Sequence, residues 1–174
     1  LPIDTYCKEV DKIVTRKLEL DWEALRAEVK EYGMRNSTLT ALMPCESSSL
    51  VTNSTNGVEP PRGLLSIKKS KQGLIPQLVP EIYNLQNKYS LAYSLDSNKG
   101  YTNIIATIQK YVDQAISANH YYNFSKYENG NLPVAEIARD LLYSYKMGLK
   151  TLYYANTDDG KTDNHIEQED GDCE

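Results

Sequence analysis

The chain has 174 residues, 40% of them hydrophobic, a length and apolar content that fit one domain with an ordinary core. Its formal net charge is −5 and the acidic residues gather after Asp158, which leaves no basic face to collect nucleic-acid phosphates. No apolar run nears the roughly 20 residues that span a bilayer and no secretory signal is recognisable, so a soluble, cytosolic protein is expected.

The segment from Asp21 opens the first clear element. Asp21 is a good N-cap, Trp22, Leu25, Val29 and Tyr32 recur at helical spacing, and Gly33 supplies a stop. Next, Ser37 to Met43 is a short β-prone run that ends at Pro44, followed by Cys45-Glu46-Ser47-Ser48-Ser49, so strand, tight turn and helix start are expected in that order. Asn53 to Gly63 is rich in Asn, Gly and Pro and reads as an ordered loop, with strands at Leu64 to Lys69 and Gly73 to Val79. Ile104, Ile105, Ile108, Val112, Ala115 and Ile116 form one helical stripe. Val134, Ile137, Ala138, Leu141, Leu142 and Tyr145 form another, begun by Pro133 and ended by Gly148. That second helix leads into Thr151 to Tyr154 as a strand, the helix-to-strand half of an α/β unit. From Asp158 to Glu174 only Ile166 is aliphatic, and a flexible acidic tail is expected.

Metal chemistry finds no support. Cys7, Cys45 and Cys173 are widely spaced with no Cys-x-x-Cys, which fits neither a disulfide scaffold nor a zinc site. His120 and His165 stand at ligand spacing from no other His or Cys, so each reads as a hydrogen-bonded or solvent-facing imidazole. Cys7 reads as a small structural residue, and Cys173 as a thiol on the tail. The opening Leu1-Pro2-Ile3-Asp4 and the charged end at Glu174 read as the edges of a fragment.

Two features carry candidate chemistry. Around Pro44, Cys45, Glu46, Ser47, Ser48 and Ser49, a helix N-terminus would present backbone N–H groups flanked by hydroxyls, which suits a phosphate; an N-cap serving only its own helix is the plainer reading. A helix dipole there would favour a Cys45 thiolate, but a bound anion would oppose it. The second feature is the adjacent Tyr153 and Tyr154. A phenol can lose an electron and a proton together, so neighbouring phenols can pass a radical, yet with 14 tyrosines in the chain most serve only to bury a ring and bond the hydroxyl.

Taken in order, Leu1-Pro2-Ile3-Asp4-Thr5-Tyr6, Arg35-Asn36-Ser37-Thr38-Leu39, Ala41-Leu42-Met43-Pro44, Thr55 to Gly63 and Lys150-Thr151-Leu152-Tyr153-Tyr154 resemble the C-terminal part of the class I ribonucleotide reductase large subunit. The resemblance implies an α/β fold, the C-terminal portion of a ten-stranded α/β barrel over residues 1–157, with the disordered acidic tail at 158–174. It implies a share in reducing ribonucleoside diphosphates to deoxyribonucleoside diphosphates. By the same resemblance Pro44, Cys45, Glu46, Ser47 and Ser48 bind the substrate diphosphate, with Cys45 standing where the family has serine. Tyr154 receives the radical and Tyr153 passes it on, and Cys173 matches the first of two redox thiols on the tail. The chain binds no cofactor of its own. A metal-containing small subunit supplies the radical, thioredoxin or glutaredoxin the reducing equivalents, and the upstream part of the large subunit the remaining active-site residues. The competing expectation is a non-catalytic fragment that keeps the fold and binds a partner subunit.

Overall fold

The computed structural model describes residues 1–70, 73–160 and 166–168. In chain order it holds helix α1 (Pro2–Thr5), α2 (Trp22–Tyr32), α3 (Glu46–Val51), strands β1 (Leu65–Ser70) and β2 (Gly73–Leu78), α4 (Ile82–Leu85), α5 (Lys99–Gln109), β3 (His120–Asn123), α6 (Val134–Lys146), β4 (Ala155–Asp158) and β5 (Ile166–Gln168), with short 3-10 turns between. Among the described residues no helix is long and apolar enough to cross a membrane.

The chain divides into two compact units. The first comprises Leu1–Met43, Lys99–Ala118 and Ile137–Tyr153. Its core is built on α5, whose Tyr101, Thr102, Ile105 and Ala106 are buried, with Val10, Met147, Val112, Ile116 and Ala118 also buried in this unit. Burying the valine, isoleucine and methionine side chains among them contributes about 1.5–3 kcal/mol apiece. α2 matches its sequence signals: the Asp21 carboxylate accepts the Ala24 N–H at 2.9 Å, and Gly33 closes the helix at φ 78°. Lys110 is buried, yet its ammonium lies 2.7 Å from Asp11 and over the Tyr6 ring. Burial alone would lower its pKa; the Asp11 carboxylate together with the Tyr6 and Tyr111 phenols outweighs that and leaves it raised.

Three expectations in this unit change. The α5 helix runs from Lys99 and ends at Gln109, so Val112, Ala115 and Ile116 are not helical. The Gln109 side chain is the cause: its Nε2 donates to the carbonyls of Val112 (2.8 Å) and Gln114 (2.9 Å), and its Oε1 accepts the Ile116 N–H, so the chain folds back around one amide. Ser37 to Met43 forms no strand. There the Asp113 carboxylate takes the N–H groups of Leu39 (2.9 Å) and Thr40 (3.1 Å), donors that a sheet ladder would otherwise need. The Leu39 N–H, then Thr40, holds the Asp113 carboxyl below the usual range. Finally, Thr151 to Tyr154 precedes the strand, which starts at Ala155.

α6 begins and ends as expected, with Gly148 at φ 79° behind it. Gly148 is confined twice over, because a Cβ there would lie 2.3 Å from the Cys7 Cβ. Cys7 is thereby a packing residue, its Sγ 3.2 Å from the Lys146 carbonyl.

The second unit comprises Pro44–Asn98, Asn119–Glu136 and Tyr154–Glu174. β1 and β2 fall where the sequence predicts strands, and they pair antiparallel, Leu65 opposite Leu78. β3 and β4 pair in parallel, His120 opposite Ala155 and Asn123 opposite Asp158. Within the segment expected to lack structure, Ile166–Gln168 pairs in parallel with Ile67, Lys68 and Lys69. Backbone hydrogen bonding to β1 gives these residues an order that their composition does not suggest. Tail positions 161–165 and 169–174 lie outside the described residues.

Candidate functional site

The two tyrosines occupy the entrance to β4. The Tyr153 N–H donates to the Ala118 carbonyl at 2.8 Å, the Tyr154 N–H to the Asn119 Oδ1 at 2.9 Å, and the Tyr154 carbonyl accepts the His120 N–H at 2.9 Å. Because the pair precedes the regular strand, the rule that neighbouring side chains point to opposite faces does not bind it. Both rings are exposed, Tyr153 at 66% and Tyr154 at 49%, so the phenols can be reached by other groups. Lys150 secures the approach, its Nζ donating to the Asp113 carbonyl at 2.5 Å.

Beneath Tyr154 lies a network that the sequence reading did not flag as functional. The Glu59 carboxylate accepts from the Asn119 Nδ2 and, at 2.7 Å, from the Tyr121 hydroxyl. Tyr121 is buried, its N–H donates to the Asn98 Oδ1 at 2.9 Å, and its ring meets Tyr93 edge-on at 5.6 Å. The Arg62 guanidinium donates to the Asn156 Oδ1 at 3.5 Å. His120 is buried with its Nδ1 3.4 Å from the Tyr122 hydroxyl, which fits the expected hydrogen-bonded imidazole. The signal that could have found this network is the Glu59-Pro60-Pro61-Arg62 run, two charged residues on a backbone that proline restricts.

At the serine-rich turn, Pro44 and Cys45 lead into α3 as expected, with Cys45 at the N-cap and Glu46 the first helical residue. Cys45 makes no side-chain cap, and the Ser48 N–H and hydroxyl both donate to its carbonyl. Pro44, Cys45, Ser47 and Ser48 are exposed, while Ser49 is buried. A helix's first turn carries N–H groups without intrahelical acceptors, so this exposed start can receive an acceptor from solution. Cys173 and His165 lie outside the described residues.

The ribonucleotide reductase barrel-domain profile matches residues 1–88 and 83–155. The chain belongs to that family. It is 52% identical over 171 residues to the ribonucleoside-diphosphate reductase subunit alpha of Haemophilus influenzae, covering 98% of this chain and 23% of the relative. With the Escherichia coli ribonucleoside-diphosphate reductase 1 subunit alpha the identity is 50%, over 94% of this chain and 21% of the relative. The corresponding subunit of Enterobacteria phage T4 is 48% identical over 92% and 22%. Among solved structures, the Actinobacillus ureae class Id ribonucleotide reductase alpha subunit superposes with a TM-score of 0.55 at 20% identity, over 87% of this chain and 30% of that one. The similarity to that structure is one of fold. This ribonucleotide reductase barrel-domain chain thus spans about a fifth of the length of the curated relatives it matches.

Proposed function

We propose that the chain is the C-terminal part of a ribonucleoside-diphosphate reductase large subunit, supplying the last strands and helices of a ten-stranded barrel. It contributes substrate diphosphate binding and radical transfer to the reduction of ribonucleoside diphosphates. The observation that carries this reading is the pair of adjacent, exposed phenols whose main chain is fixed at three points, in a chain half identical to subunits named for that activity. Tyr154 gives up an electron and a proton to an oxidant on a separate small subunit and regains both from Tyr153. Tyr153 regains them from a thiol in the upstream part of the subunit. The Pro44, Cys45, Glu46, Ser47 and Ser48 turn receives the diphosphate through backbone N–H groups, which survive the presence of cysteine at position 45. Cys173 acts as a tail thiol toward thioredoxin or glutaredoxin, and thiol exchange there requires a second cysteine from elsewhere.

The test is reconstitution of the chain with the remainder of a large subunit, a small subunit and a dithiol reductant. Nucleotide reduction is expected, with Tyr153→Phe and Tyr154→Phe each reducing turnover to background. Undiminished turnover in both variants rejects the relay. A second reading, an assembly fragment without turnover, draws on the apolar face of α6, whose Val134, Leu141, Leu142 and Tyr145 are exposed. Complex formation with no reduction of any ribonucleoside diphosphate would favour it.

A further inference from the structure

We infer that Glu59 and Asn119 are positioning residues for Tyr154, fixing where its phenol stands through the main chain; this rests on the relay reading given above. The Tyr154 N–H ends on Asn119 Oδ1 at 2.9 Å, and the other end of the same amide, Nδ2, ends on the Glu59 carboxylate. A carboxylate can only accept and a backbone N–H can only donate, so the residue between them must present one acceptor and one donor. An asparagine amide satisfies both, and its orientation is fixed by them. An aspartate in the same place would set carboxylate against carboxylate.

Glu59 is itself held. The prolines that follow it restrict its backbone, the Pro61 carbonyl accepts the Ala92 N–H at 2.9 Å, and the Tyr121 hydroxyl occupies the second carboxylate oxygen at 2.7 Å. Three residues on, Arg62 reaches Asn156, two positions beyond Tyr154. The loop from Glu59 to Arg62 therefore brackets Tyr154 on both sides in the sequence, through Asn119 before it and Asn156 after it. Radical transfer between phenols depends on hydrogen-bond-scale separations, where a displacement of ~1 Å from the reacting geometry costs about 100-fold in rate. Fixing the main chain of Tyr154 limits such displacement.

The experiment reverses the polarity of the pair in the reconstituted enzyme. Asn119→Asp alone is expected to lower kcat by about 10-fold or more, with KM for the ribonucleoside diphosphate and affinity for the small subunit within about twofold, because repulsion from Glu59 displaces the acceptor of the Tyr154 N–H. The double variant Glu59→Gln with Asn119→Asp restores one donor and one acceptor in reversed order and should recover kcat to within about threefold of the parent. Unchanged kcat in Asn119→Asp, or a double variant no better than the single one, overturns the inference. Should Asn119→Asp fail to fold, amide hydrogen exchange in the unmodified enzyme decides: a protected Tyr154 N–H is expected, and one exchanging at the rate of an open loop overturns the inference. Tyr154→Phe separates the two levels. If it retains turnover the relay itself is rejected, whereas an inactive Tyr154→Phe beside a fully active Asn119→Asp rejects the positioning role alone.

Discussion

α5 and α6 carry the same kind of pattern, an apolar stripe at helical spacing, yet one is a core element and the other is not. α5 buries Tyr101, Thr102, Ile105 and Ala106; α6 leaves Val134, Ile137, Leu141, Leu142 and Tyr145 exposed and buries only Ser144 of its length. An amphipathic pattern fixes which face of a helix is apolar. Whether that face is covered depends on the elements around it, and among the described residues Val134, Leu141, Leu142 and Tyr145 stay uncovered. Its inward contacts run through Ser144, whose hydroxyl lies 3.5 Å from that of Thr102 on α5, and through the half-buried Tyr143, which packs on Val10, Ala106 and Met147 and donates its hydroxyl to the Asn103 Oδ1 at 2.7 Å.

Breaking the comparison on its covered side should give the largest effect. Ile105 is fully buried, so Ile105→Ala should destabilise the chain by about 2–4 kcal/mol in chemical denaturation, through lost burial and the cavity left behind. A smaller effect is expected in the turn that follows α5, where Asp113 binds the Leu39 and Thr40 N–H groups. Its folded pKa is depressed, so its contribution is complete above the unfolded value and is lost as pH falls through the folded one. Acid titration of stability below about pH 4 should therefore be shallower in Asp113→Asn than in the parent, and identical curves would remove Asp113 from the acid response. The smallest effect belongs to α6. Leu142 is 67% exposed, and Leu142→Ala should change the stability of the chain by less than about 0.5 kcal/mol; a loss like that of Ile105 would show that the stripe is packed in solution.

The legible parts of the fold are those whose signals are local. Asp21 and Gly33 bound α2, Gly148 follows α6, and the Asn-, Gly- and Pro-rich stretch before Gly63 is a loop. The misread parts are those decided by a side chain far away in sequence or by a single amide. The Gln109 side chain ends α5 early, and Asp113 claims the N–H groups that would have made Ser37 to Met43 a strand. β3 went unread because His120 to Asn123 is four residues long with no alternation to mark it. At the candidate site, Tyr153, Tyr154 and the Pro44 turn stand out as residue types, whereas the partners of Tyr154 are ordinary side chains given meaning by their distance. Glu59 and Asn119 are 60 residues apart, and no local pattern links them.

The parallel pairing of β3 with β4 has a consequence for the order in which the molecule comes together. Asn119 and Tyr154 are 35 residues apart, and the crossover between them contains all of α6. A hairpin can register its strands through a two-residue turn, but a parallel pair must first close its crossover and bear that loop entropy before the ladder repays it. The segment that receives Tyr154 is thus assembled by long-range closure, and the geometry at its phenol is a property of the finished fold and of no shorter piece of it.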